Sequence, residues 1–231
     1  MSAVAILGLH RVGPLPAGSW ETWFWISEAT FERFLDELSA EGWEPVSLEL
    51  FLAGLDYPAM LPPRTALITF DDGYHATAEA ALRVLAERAL AGVFFVPSDF
   101  VGGMNDFEAG TDEPREKICS VADLAALEAA GISVQSHGAS HTAFTALRAE
   151  EQERELRESK AALERVPRVD VRAVAYPYGE LGDAGVAQRA GYVAAFGYGG
   201  TSFAVIDADR WALPRLALGP DSDLRAMLEA A

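Results

Sequence analysis

Two adjacent acids, Asp71 and Asp72, follow the apolar run Ala66-Leu67-Ile68-Thr69-Phe70 and lead into Gly73. Like charges this close resist joint ionisation, and a cation beside one of them relieves the conflict. Asp-Asp-Gly is equally good turn chemistry, so the segment alone admits either reading. Further on, Ser136-His137-Gly138-Ala139-Ser140-His141 sets two histidines four apart at the end of another apolar run. Imidazoles at that spacing converge on one ion from a helical turn or a tight loop. Two unrelated loop histidines are the plain alternative, although the chain has only four histidines in all. One carboxylate and two imidazoles suit zinc, and nickel, cobalt, manganese or iron tolerate the same set. With Asp72, His137 and His141 as ligands, positions stay open for water and substrate, and Asp71 is free to act as general base. A third segment, Ala175-Tyr176-Pro177-Tyr178-Gly179, also follows an apolar run. Alone it reads as a proline-glycine turn with aromatic packing.

The elements that must position these residues alternate between short apolar runs and helical patterns. Residues 4–9 read as a strand. Ser27 is a good N-cap for a helix with Phe31, Phe34, Leu35 and Leu38 on one face, stopped at Gly42. Residues 66–70 form a buried strand, followed by an Ala- and Leu-rich helix to about residue 89 and a strand at 92–96. Ser120 and Asp123 make a capping box for a helix ending at Gly131, and the strand at 132–135 runs into His137. A charged helix spans about 149–165, with Leu156 and Leu163 as a thin apolar stripe and one face in water. Residues 171–175, 192–195 and 215–218 are the remaining strands, and Asp221 is expected to cap a last helix. Strand followed by helix, repeated this often, implies parallel strands with sites at their C-terminal ends. The economical reading is one domain over residues 1–231, an α/β fold of irregular (β/α) barrel form.

The formal net charge of −17 argues against nucleic acid or anionic lipid as the main partner. Cys119 is the single cysteine, which excludes an internal disulfide and a cysteine zinc cluster. The apolar run at residues 3–7 is short and lacks a preceding basic region, unlike a secretory signal. No stretch approaches the roughly 18 apolar residues of a membrane helix. The sequence as given is expected to be soluble and cytoplasmic, with no membrane insertion, unless an export signal is missing from it. Its oligomeric state is not legible.

Together, Thr69-Phe70-Asp71-Asp72-Gly73, Ser136 to His141 and Tyr176-Pro177-Tyr178-Gly179 resemble the three motifs of the polysaccharide deacetylase family (NodB homology, carbohydrate esterase family 4). Leu9-His10-Arg11-Val12, residues 27–46, Gly191-Tyr192 and Leu213-Pro214-Arg215 are similar to a branch that includes poly-N-acetylglucosamine deacetylases. The resemblance implies a single-domain distorted (β/α) barrel, with Asp71 as base, Asp72, His137 and His141 as metal ligands and the Tyr178 N–H near the oxyanion. It implies an N-acetylated carbohydrate as substrate and metal-dependent hydrolysis of its acetamide C–N bond. Two features depart from the pattern. Ala175 stands where many members have the arginine that orients the base, and Arg215 is the candidate replacement from another strand. No histidine follows His141, so the late Leu-x-His that supplies the acid in many members is missing, and His10 is the candidate for that proton donor or for a substrate contact. These departures keep open a catalytically weakened glycan-binding protein, and the lack of a recognisable secretory signal keeps open an amide hydrolase of the same fold acting on a small non-sugar substrate. Trp20, Trp23, Phe24 and Trp25 cluster before the first helix; core packing or an oligomer contact is the default reading, and stacking on a sugar face the functional one.

Overall fold

The structure is a computed structural model that describes residues 2–15 and 22–229. Its strands are β1 (Ala3–Leu9), β2 (Arg11–Val12), β3 (Trp25–Ile26), β4 (Glu44–Pro45), β5 (Arg64–Phe70), β6 (Gly92–Val96), β7 (Ile132–Ser136), β8 (Ala173–Ala175), β9 (Ala194–Phe196), β10 (Phe203–Ala204) and β11 (Leu216–Ala217). Its helices are α1 (Glu28–Ala40), α2 (Leu48–Asp56), α3 (His75–Glu87), α4 (Val121–Ala129), α5 (Ala149–Leu163), α6 (Ala184–Arg189) and α7 (Leu224–Glu229). The strands β1, β5, β6, β7, β8 and β9 lie side by side in that order, each pair parallel. The short β10 pairs antiparallel with β1, while β2 and β3 form a separate ribbon.

Residues 213–218 bring the sheet round on itself. Leu213 exchanges backbone hydrogen bonds with Ala195 and Gly197 beside β9 (3.0 and 2.9 Å), and β11 then pairs with β1. One segment thus touches both edges of the sheet and curls it into the irregular barrel that the strand–helix alternation predicts.

Two-residue periodicity divides the side chains between the barrel interior and the helix-covered outside. Ala5, Leu7, Ala66, Ile68, Phe94, Val134 and Val174 belong to the outer core, under the helices. Val4, Ile6, Leu67, Val93, Phe95, Ala173, Ala175 and Phe196 fill the interior. The same parity continues past the strand ends. Leu67 is followed by Thr69 and Asp71, and Gln135 by His137, so the polar residues lie over the interior layer rather than in the helix interface.

The caps follow the sequence pattern at Ser27, whose hydroxyl accepts from the Thr30 N–H, and at Ser120–Asp123, which form a complete capping box. Two expectations change. The Ser47-capped α2 fills a segment to which the apolar periodicity assigns nothing. The last helix is capped by Asp223 rather than Asp221, because the Gly219 N–H donates to Ser222 Oγ and residues 219–222 are spent in a turn. No helix of the described residues is long and apolar enough to cross a membrane.

Candidate active site

Asp71 and Asp72 leave β5 in opposite directions. The Asp71 N–H still donates to the Leu9 carbonyl (2.9 Å) as a ladder residue, whereas Asp72 turns into the left-handed region at φ 68°. Of the five non-glycine residues at positive φ among the described residues, Asp72, His141 and Tyr178 meet here. Such conformations are disfavoured for residues with a Cβ, and their concentration at one place marks a site that the surrounding fold overdetermines.

Asp72, His137 and His141 form a buried group whose ligand atoms all lie within 4.8 Å of one another. Asp72 Oδ1 is 3.1 Å from His141 Nε2 and 3.4 Å from His137 Nε2. His137 donates Nδ1–H to the Ala175 carbonyl at 2.7 Å, so its Nε2 lone pair faces the acid, as a metal-ligating histidine requires. Burial opposes ionisation of Asp72, yet the two imidazoles hold its carboxyl well below the usual range. A carboxylate and two imidazoles brought together in this way fit a divalent transition ion, with one hard and two borderline donors and positions left for other ligands.

The loop between the two histidines is tied down by a residue the sequence reading passes over. Glu155, on the otherwise water-facing α5, is buried; its Oε2 accepts from the N–H groups of Ala139 (2.9 Å) and Ser140 (2.8 Å), and its Oε1 from Ser140 Oγ (2.9 Å). In sequence it is one acid among many on a charged helix, with no local signal to separate it from its neighbours.

Arg215 lies where the missing motif arginine would act. It is fully buried and grips Asp71 with both Nη atoms (2.6 and 2.7 Å), while its Nε donates to the Gly197 carbonyl (2.9 Å) and Nη1 also reaches Thr69 Oγ1 (3.2 Å). Burial by itself would raise the pKa of Asp71, but the adjacent guanidinium, with His137 beyond it, keeps the carboxyl below its ordinary value. The closing segment makes this possible: Leu216 and Leu218 face the outer core, and Arg215 and Ala217 face inward. Tyr198 stacks under the guanidinium (4.1 Å from ring centroid to Cζ) and fits against β1 only because residue 8 is glycine, where a Cβ would meet its ring at 2.5 Å.

A cleft of about 330 Å³ opens over this layer, lined by His10, Trp23, Phe24, Asp71, Asp72, Glu108, His137, His141, Tyr178, Tyr198 and Ala217. His10 stacks on Tyr198 (ring centroids 5.4 Å apart) with Nδ1 3.4 Å from the phenol oxygen, and burial draws its pKa below the usual imidazole value. Tyr178 is largely exposed and meets His141 edge-on at 5.0 Å. Its backbone lies at φ 61°, next to Gly179, where any Cβ would strike Tyr198 at 2.7 Å. The tryptophan cluster splits: Trp23 is exposed at the cleft and Phe24 lines it, Trp25 is buried with Nε1 donating to the Gly13 carbonyl (3.1 Å), and Trp20 lies outside the described residues. His75 stands apart at the start of α3, 3.1 Å from Asp123.

A second buried arginine borders the cleft. Arg11 contacts Glu108 (2.9 Å), Glu113 (2.6 Å) and Glu116 (2.7 Å), all on the loop between β6 and α4, and lies over the Tyr74 ring (4.3 Å). This anchor holds the loop against the site, with the Phe107 ring tilted against His141 at 4.4 Å.

The strand ends of an α/β barrel thus carry an Asp-His-His set that could hold a metal ion, beside an acid gripped by a guanidinium. The sequence profile of polysaccharide deacetylases matches residues 59–195, and the chain belongs to that family of hydrolases. The fold agrees with the deacetylase PplD of Streptococcus pyogenes at a TM-score of 0.81, with 18% identity over 98% of both chains. IcaB of Ammonifex degensii superposes at 0.81, with 23% identity over 98% of this chain and 96% of that one. A de-N-acetylase of Aggregatibacter actinomycetemcomitans reaches 0.78, with 18% identity over 98% and 100%. No curated protein matches significantly in sequence.

Proposed function

We propose that this protein hydrolyses the acetamide C–N bond of an N-acetylated sugar or polysaccharide, using a divalent ion, zinc first among the candidates, held by Asp72, His137 and His141. We read the whole chain as one catalytic domain. The observation that carries the proposal is the pairing of an Arg215-held Asp71 with the adjacent Asp-His-His set at the floor of one cleft.

When bound, such an ion supplies Lewis-acid polarisation of the amide carbonyl and a water of lowered pKa. Asp71 takes the proton from the attacking water. Arg215 keeps that carboxylate ionised and fixes its direction, so no reorganisation is needed as the proton moves. The Tyr178 N–H, on backbone next to Gly179, is assigned to the developing negative charge on the carbonyl oxygen. The leaving amine then needs a proton. His10 is the assigned donor, and because burial holds it neutral between turnovers, it works as a relay that must first receive a proton from water or from Asp71. Acetate and a free amino sugar result.

Arg215 removes one of the two motives for a non-catalytic reading, since Asp71 has its guanidinium despite Ala175, and leaves the missing late histidine as the other. The decisive test couples elemental analysis of the purified protein to deacetylation of N-acetylglucosamine oligomers with and without a chelator. Metal-dependent acetate release supports the proposal. Hydrolysis confined to small non-sugar amides would move the substrate class, and an inactive metal-loaded protein would refute the mechanism.

A further inference from the structure

We propose that Glu108 is a specificity-determining residue of the cleft, accepting a hydrogen bond from a hydroxyl or ammonium group of the sugar and turning away sugars that carry an anionic substituent on its side. The inference rests on the deacetylase reading above and deepens it.

The two oxygens of Glu108 have different surroundings. Oε2 is saturated by protein donors: Arg11 Nη2 at 2.9 Å, the Tyr74 hydroxyl at 2.8 Å and the amide of Asn105. Oε1 makes no hydrogen bond among the described residues, and it is not one of the atoms sealed from solvent without a partner. The residue lines the cleft, and its side chain keeps 18% of its surface exposed. A carboxylate gripped at one oxygen and free at the other is a preorganised acceptor: its rotamer is already paid for by the anchor.

The charges around it decide which ligands fit. The cleft lining holds three carboxylates, Asp71, Asp72 and Glu108, and neither Lys nor Arg among the described residues. Asp71 is neutralised by Arg215, and the divalent ion proposed for Asp72 and the two imidazoles more than offsets Asp72, so positive charge would sit at the floor of the cleft and negative charge on the Glu108 side. The charge of Arg11 is shared with Glu113 and Glu116 as well as Glu108, so the anchor as a whole remains negative. Glu108 is therefore the one cleft carboxylate with both unspent charge and an unspent oxygen. A sugar hydroxyl or ammonium satisfies it. A carboxylate or phosphate placed on the Glu108 side of the sugar, away from the ion, would be repelled across a partly desolvated gap, and such a repulsive element sets specificity as effectively as an attractive one.

The test measures kcat and KM of the metal-loaded enzyme on a neutral N-acetylated oligosaccharide and on one of equal length bearing a carboxylate on the Glu108 side. Glu108→Gln keeps a carbonyl for the three anchoring donors and turns the cleft-facing atom into an uncharged donor. Its KM for the neutral sugar should rise about fivefold with kcat little changed, and its preference for neutral over anionic sugar should fall roughly tenfold. Glu108→Asp keeps the charge but withdraws it; it should weaken neutral binding while retaining most of the preference. A folded Glu108→Gln enzyme with an unchanged preference overturns the assignment. If that variant does not fold, an unchanged KM for the neutral sugar in Glu108→Asp overturns it instead. A wild type that cleaves small amides and neither oligosaccharide overturns the sugar reading and this assignment together, whereas failure of the Glu108 variants alone leaves that reading intact.

Discussion

Two arginines are buried beside the cleft, and they are used in opposite ways. Arg215 gives both Nη atoms to one carboxylate in a water-excluded place, and its product is a single oriented, ionised acid. Arg11 spreads over three glutamates whose side chains keep 11–18% of their surface, and its product is a loop held in position. The contrast shows that a buried ion pair here specifies geometry rather than adding stability. Desolvation offsets much of the Coulombic gain in either case, so what remains is the arrangement each pair enforces.

The largest effect should come from the acid that Arg215 serves. Asp71→Asn is expected to keep its metal, measured by elemental analysis, while kcat falls by about 10²–10⁴. A wild-type rate in that variant would remove Asp71 from the mechanism. Next is Arg215→Met, which strands a fully buried carboxylate and should destabilise the fold by about 3–5 kcal/mol in chemical denaturation. Arg11→Met should lose roughly half as much, because water reaches its glutamates, and limited proteolysis should then cut first within residues 101–120. Equal losses in the two variants would erase the distinction drawn between the arginines. Glu155→Ala tests the other buried anchor: metal affinity, followed by competition with a chromogenic chelator, should weaken by about 10- to 100-fold, as for outer partners of metal ligands.

The smallest effect belongs to a surface pair, Arg148 and Glu151. Hydrogen bonds from Arg148 pull the Glu151 carboxyl down to about 2 from 4.5. Because the folded-state value is the lower one, any stabilisation is present above about pH 4.5 and fades as pH falls toward 2. Thermal melts of Glu151→Gln should differ little from wild type near neutrality, and the difference should shrink further in high salt.

What could be read from the sequence was local chemistry joined to periodicity. Apolar runs ending in Asp71-Asp72 and in His137 placed the site at strand ends, and parity along each strand carried those residues to one side of the sheet. Ser27 and Ser120 announced their helices for the same reason, since a cap bonds within three residues of itself. Contacts between distant segments had no such signature. Arg215 was nameable as a candidate from its Leu-Pro-Arg-Leu setting, but only closure of the barrel through residues 213–218 brings it to Asp71. Glu155 and the glutamates around Arg11 look like ordinary surface acids in a chain with 35 of them. Tertiary structure alone decided which were buried, because burial depends on what packs above a residue, and side-chain type does not encode it. The Asp-His-His set and the acid beside it were thus written in the sequence, while the guanidinium that grips that acid, the clamp on the histidine loop and the shape of the cleft emerged only on folding.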